Sequence, residues 1–289
     1  MAATNVYQMV TDRIIQELEK GFIPWHKPWH GTLNGAVSYV TRKPYSFLNQ
    51  FLLGEPGEYL TFKQIQNLGG SIKKGAKSRF VVFYKMLESV KKTTHPTTGE
   101  EVEKKEQVPV LRYYNVFHLR DVEGIESKLG EPIPCPHEPI ETAECIVNDY
   151  VEREHLLFES KASNEASYCP SLDYVVVPLL EQFESAEEYY STTFHELVHS
   201  TGHKSRCDRF MTGIARSKSE TYSKEELVAE IGSAMLCNIA ELDISKCFNN
   251  SVAYISGWLR KLQDDNRLIV YAAARAEKAV KYILNEKDC

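Results

Sequence analysis

"TTFHELVHSTGH", residues 192–203, decides how this chain is read. Two histidines stand four apart, and Glu196 directly follows the first. On an α-helix a spacing of four returns to one face, so His195 and His199 can grip one ion together. Zinc (Zn2+) in a catalytic site takes three protein ligands and keeps a position for water, whose pKa falls to about 7. Glu196 lies one position along the helix, where it can reach that water and take its proton as a general base. Phe194, Leu197 and Val198 are apolar, so the helix is expected to be substantially buried. Two histidines and a glutamate are costly to desolvate there without partners. The pattern points to a metal-dependent hydrolase rather than an amphipathic helix that carries histidines by chance.

A third ligand is required, and the residues leave several open. Gly202 fits H-E-x-x-H-x-x-G, but the third histidine of that pattern would fall at position 205, which is Ser. His203 comes two residues too early and stays a candidate. Glu226 in "EELVAEIGSAM" is the better one: a second helix would present it, and Glu230, four residues on, shares its face. Glu230 could then accept the free N–H of a ligating histidine. Glu225 is the rival, because pattern alone does not separate adjacent residues. An oxyanion formed during hydrolysis needs a hydrogen-bond donor, and Tyr222, Tyr168 and Arg206 lie near the motifs.

The surrounding chain sets the class. With 289 residues, 43% hydrophobic and 26% charged, it can bury a full core and has room for two domains. No run of 18 or more apolar residues appears, so no membrane span is expected. The first residues, "MAATNVYQMVTDRIIQELEKG", read as the start of a folded helix and not as an export signal, which points to the cytoplasm. The seven cysteines are odd in number and include no C-x-x-C pair, which argues against a disulfide framework or a cysteine-bound zinc finger.

Charge is divided along the chain. Residues 1–125 hold 17 Lys+Arg against 12 Asp+Glu, and residues 126–289 hold 17 against 28, which together give the net −6. An anionic partner therefore suits the first half better. Aromatics stand beside basic residues there, in "PWHKPW", "TRKPYSF", "KSRFVVFYK" and "LRYYNVF". Single-stranded nucleic acid is held by cationic grooves and by aromatic faces that stack on bases. The plausible contacts are Trp25, Trp29, Arg42, Lys43, Tyr45, Lys73, Lys74, Lys77, Arg79, Tyr84 and Tyr113. The plainer alternative is that most of these aromatics are core and the lysines a solvated face.

Periodicity predicts helices over about 5–20, 140–154, 185–202 and 251–284, and another that a Ser223 cap would open. Strands are expected over Phe80–Tyr84, through "VPVLRYYNVFHL" and over Tyr174–Val177. The polar stretch 88–107 reads as a solvated hairpin tip or loop.

The chain resembles the ArdC-type antirestriction proteins of plasmids and phages. The resemblance rests on "YYSTTFHELVHSTGHKSR", "YSKEELVAEIGSAMLC", "SYCPSLDYVVVP" and "YISGWLRKLQDDNRLIVYAAARAEKAVKYIL", and earlier on "VTDRIIQELEKGFIPWHKPW", "KPYSFLNQFLL", "GGSIKKGAKS" and "VLRYYNVFHL". It implies an α+β architecture of two domains: a single-stranded-DNA-binding domain over residues 1–125, a linker over 126–139, and a zincin-like metallopeptidase domain over 140–289, acting on an unknown protein or peptide substrate. Carried over by position, the metal ligands fall on His195, His199 and Glu226, and the catalytic glutamate on Glu196. The chain departs from the family at Ser200, commonly Trp, at Ser78, usually Gly, and at His118, usually Asn. The first is expected to reshape the cleft floor, the others the nucleic-acid contacts. The competing reading is a protein that shields DNA stoichiometrically, its metal serving structure alone.

Overall fold

Asn5 caps the first helix: its side chain accepts from the Gln8 N–H, and α1 runs Val6–Glu19 with Val10, Ile14 and Leu18 turned inward at four-residue spacing. The computed structural model describes residues 5–20, 35–94, 101–129, 139–210, 220–243 and 252–286. After α1 come β1 (Ala36–Ser38), α2 (Phe47–Leu53), β2 (Gly57–Thr61), α3 (Phe62–Asn67) and β3 (Ser71–Ile72). Thr61 opens α3 with a capping box completed by Gln64. Then β4 (Arg79–Thr94) and β5 (Glu101–His118) form a long antiparallel ribbon, and β6 (Val122–Glu123) pairs with β3. The order in the main sheet is β1-β2-β5-β4, with β1 and β2 parallel and the other pairs antiparallel.

The second half begins with α4 (Pro139–Glu154) and a small sheet of β7 (Leu157–Ser160), β8 (Ser167–Cys169) and β9 (Tyr174–Val177), in the order β7-β9-β8. Four helices follow: α5 (Ala186–Ser200), α6 (Glu220–Ile239), α7 (Val252–Asp264) and α8 (Leu268–Ile283). Ser185 caps α5 by accepting from the Glu188 N–H, and Glu187 and Glu188 place negative charge in its first turn. α5 packs between α4 and α6 with β8 and β9 against it, and α6 in turn packs on α8.

One hydrophobic core joins the halves. Val10, Ile14 and Leu18 of α1 and Leu48, Phe51 and Leu52 of α2 belong to the same buried cluster as Phe194, Leu197, Leu227, Ile231 and Ala272. The buried Thr11 hydroxyl donates to the Asn266 carbonyl, 2.9 Å away, between α7 and α8. Two smaller clusters sit around Tyr59 and around Leu60 and Ile65.

Three expectations need correction. The polar stretch 88–107 is largely strand, since backbone pairing continues from Glu88–Gln107 out to Thr94–Glu101. A ladder of backbone hydrogen bonds does not require alternating apolar side chains, so pattern missed it. Ser223 lies inside α6, which is already helical at Glu220. The final helix is two: the Asp265 side chain accepts from the Arg267 N–H and turns the chain between α7 and α8.

Candidate metal centre

Burial on three sides fixes the orientation of α5. Phe194, Leu197 and Val198 are fully buried, which leaves His195 and His199 facing α6. On α6, Leu227, Val228 and Ile231 are likewise buried and Glu226 faces back. The helices approach closely because position 232 is Gly: a Cβ there would stand 2.7 Å from Val198 Cγ2. Ser233 Oγ donates to the Ser191 carbonyl across the same seam, at 2.7 Å.

His195 Nε2 and His199 Nε2 are 3.1 Å apart, and each lies 3.5 Å from a different oxygen of Glu226, Oε2 for His195 and Oε1 for His199. Bonds of about 2.0–2.2 Å to a tetrahedral ion place ligand atoms about 3.3–3.6 Å apart, so these three residues fit one ion. They are the one metal-capable group of three among the described residues. Burial opposes a charged His195 imidazole, but the Glu226 hydrogen bond and the charges of Glu196 and Glu230 outweigh it and raise its pKa.

Glu196 is 8% exposed, and the Tyr168 backbone on β8 favours its charged form. Burial raises its pKa despite the two histidines, which act in the opposite direction. A buried carboxyl beside two imidazoles, its pKa raised, is a group of the kind that can pass a proton to or from a neighbouring water.

Glu225, the rival third ligand, is placed elsewhere. It faces Nδ1 of His199 at 3.6 Å and is held by Arg209, whose Nη2 donates to its carboxylate at 2.7 Å. Arg209 also donates to the Val198 carbonyl and the Thr201 hydroxyl, so it ties the end of α5 to the start of the buried part of α6. Nothing in the sequence singled out Arg209; its role arises only where the chain after α5 folds back. Glu230 acts on His195 through its charge, while the acid that faces a histidine's outer nitrogen is Glu225. His203 pairs its Nδ1 with Ser205 Oγ at 2.8 Å and is not one of the three converging groups.

Among the expected oxyanion donors, Tyr168 gives its hydroxyl to Asp173 at 2.8 Å. The Arg206 side chain, 1% exposed, donates to Asp173, Glu154 and the Ser200 carbonyl. These are the contacts of a structural clamp. The Tyr222 side chain lies outside the described residues. Ser200 does not reach the cleft floor as expected; it is buried with its hydroxyl 2.9 Å from that of Tyr150 on α4.

In the first half the expected contacts separate. Trp25 and Trp29 lie outside the described residues. Arg42 pairs with the buried Glu58, and Arg79 with Glu55 while donating to the Tyr59 hydroxyl. Lys73 donates to the Arg120 carbonyl. Tyr45 packs edge-on against Tyr59, and Tyr84 packs on the main core. Lys43, Lys74, Lys77 and Tyr113 are exposed, as is Ser78. His118 sits against Tyr59 with its Nε2 3.1 Å from the Pro56 carbonyl, an internal position.

Residues 4–117 match the N-terminal domain of anti-restriction factor ArdC, and residues 147–275 match the zincin-like metallopeptidase family. Two crystal structures of the antirestriction protein ArdC from the R388 plasmid, one metal-free and one Mn(II)-bound, share 32% and 31% identity with this chain. Each comparison covers 98% of both chains, with TM-scores of 0.69 and 0.70. The chain belongs to the ArdC family. Its ArdC-type sequence is also 30% identical to the uncharacterized protein y4eC of Sinorhizobium fredii, over 97% of this chain and 92% of that one. DNA primase TraC of Escherichia coli is 32% identical over 96% of the chain, which spans only 27% of that relative's length. The α+β fold, with an ArdC N-terminal part and a zincin-like part, is thus the one expected.

Proposed function

We propose that the second half of this ArdC-type protein is a metallopeptidase site and that the first half holds single-stranded DNA. His195, His199 and Glu226 would hold one divalent ion, with zinc the expected metal. The observation that carries this reading is the convergence of two imidazole nitrogens 3.1 Å apart, each 3.5 Å from a different oxygen of Glu226, with Glu196 buried alongside. A bound divalent ion supplies Lewis acidity, which lowers the pKa of a coordinated water toward about 7. Glu196 takes the proton of the attacking water and returns it to the leaving amine. The domain limits proposed are residues 1–125 and 140–289, and the protein would work in the cytoplasm; none of the described helices is long and apolar enough to cross a membrane.

Metal analysis of the purified chain, paired with Glu196→Gln, tests the peptidase. The native chain should carry one ion, zinc or the manganese named for the R388 relative, and cleave an unstructured protein. Glu196→Gln should keep the ion and lose at least about 100-fold in rate. Equal rates would remove the proposal.

A second reading has its own support. Arg209 and Glu225 brace His199 rigidly between two helices, as a purely structural metal would require. The first half would then protect incoming DNA by coating it. Antirestriction that survives Glu196→Gln selects this reading. A peptidase that acts on DNA-attached proteins predicts instead that single-stranded DNA accelerates cleavage.

A further inference from the structure

The two faces of the β4–β5 ribbon differ in what they meet. Register sets Val82 opposite Tyr113 and Tyr84 opposite Leu111, and this face packs toward the main core through Val82, Tyr84 and Leu111. On the other face Val81 stands opposite Tyr114, Phe83 opposite Arg112 and Lys85 opposite Val110. Phe83 is 51% exposed and Tyr114 48% exposed. Lys85 and Arg112 are exposed too, and among the described residues neither is in an ion pair. From the Val81–Tyr114 pair to the Leu87–Val108 pair this face has no carboxylate.

We propose that single-stranded DNA lies on this face, its bases stacked on Phe83 and Tyr114 and its phosphates against Lys85 and Arg112. The proposal rests on the reading of the first half as nucleic-acid-binding. Two unpaired cations with no acid between them attract a polyanion. Large exposed rings suit bases that are free to leave a stack, and such stacking tolerates any sequence. Phe83 and Tyr114 are diagonal neighbours across the strands, about 7–8 Å apart in such pairs, so successive bases can reach both. The groove beside them, lined by Phe83, Lys85, Leu87, Val110, Arg112 and Tyr114, holds about 150 Å³. Small-molecule pockets hold about 300–1,000 Å³, so this one suits a flat ring laid on a strand face. Charge also separates this occupant from a second copy of the chain, which would bring the same cations together.

The experiment measures anisotropy of labelled oligo-dT with the full chain over a salt series, beside sedimentation of the protein alone. Phe83→Leu and Tyr114→Leu keep apolar bulk and remove the ring, and thermal melts like the native chain's show that both fold. Each should weaken binding about 5- to 150-fold, while Tyr114→Phe should bind normally. Lys85→Gln and Arg112→Gln should each flatten the salt dependence by about 0.7 in slope. A duplex of the same length should bind more weakly and ignore Phe83→Leu. If the native chain binds oligo-dT and these variants bind equally well, the surface is elsewhere and only this inference falls. If the native chain binds no oligo-dT, the nucleic-acid reading falls with it. Variants that keep DNA affinity but lose self-association would make the face a contact between copies, which also overturns the proposal.

Discussion

The α5–α6 seam joins two neighbouring acids that do different things. Glu226 faces both imidazoles, whereas Glu225 faces away to Nδ1 of His199 under the grip of Arg209. Removing an outer partner of a ligating histidine typically costs about 10–100-fold in metal affinity. Glu225→Gln should therefore need that much less chelator to strip its metal, and an unchanged competition curve would deny Glu225 this role. A second residue-scale expectation concerns Asp173. Burial raises its pKa, but hydrogen bonds from Arg206 and Tyr168 outweigh this and hold it below the usual carboxylate range. A carboxyl depressed by folding stabilises fully above its unfolded pKa, about 3.9, and loses that contribution as pH falls through the lower folded value. Asp173→Asn should cost about 1–3 kcal/mol at neutral pH, and urea melts should find the gap closing below about pH 4. A gap of constant size from pH 7 to pH 3 would count against the account.

Helix packing brings His195 and His199 to Glu226, and Gly232 sets how closely. In an isolated helix Ala is better than Gly by about 1 kcal/mol. Here a Cβ would meet Val198 Cγ2 at 2.7 Å and Cγ1 at 2.9 Å, beside His199. Overpacking a fitted core typically costs about 1–3 kcal/mol. Gly232→Ala should thus be neutral to destabilising and should weaken metal binding, because the helices that carry His195, His199 and Glu226 are forced apart. A more stable variant with native metal affinity would contradict this. The H-E-x-x-H spacing, the Ser185 cap and the Tyr174–Val177 strand were all legible before folding, since each depends on neighbours within one element. The ribbon beyond Glu88 was not, because its pairing is set by the ladder started at Arg79–Val116.

Across the whole molecule, the shared core bears on how the halves unfold. α1 and α2 come from the first half, yet they bury Val10, Ile14, Leu18 and Phe51 in the cluster that holds Phe194 and Ile231. Calorimetry should find one cooperative transition rather than two. Leu18→Ala should cost about 2–5 kcal/mol and lower the melting of the metal-site half as well. Two separate transitions, with only one moved by Leu18→Ala, would show that the halves fold independently. The sequence by itself determined the pair of histidines that can share an ion and the candidate base between them, because helical spacing links residues one turn apart, and it pointed to the acidic stretch that holds Glu225 and Glu226. It also separated a basic, aromatic half from an acidic one. Only the tertiary structure decided which of Glu225 and Glu226 turns toward the imidazoles, that Arg209 braces them, and which ribbon aromatics are left to solvent. Those outcomes depend on which face each element buries, and burial is fixed by packing between segments far apart in the chain.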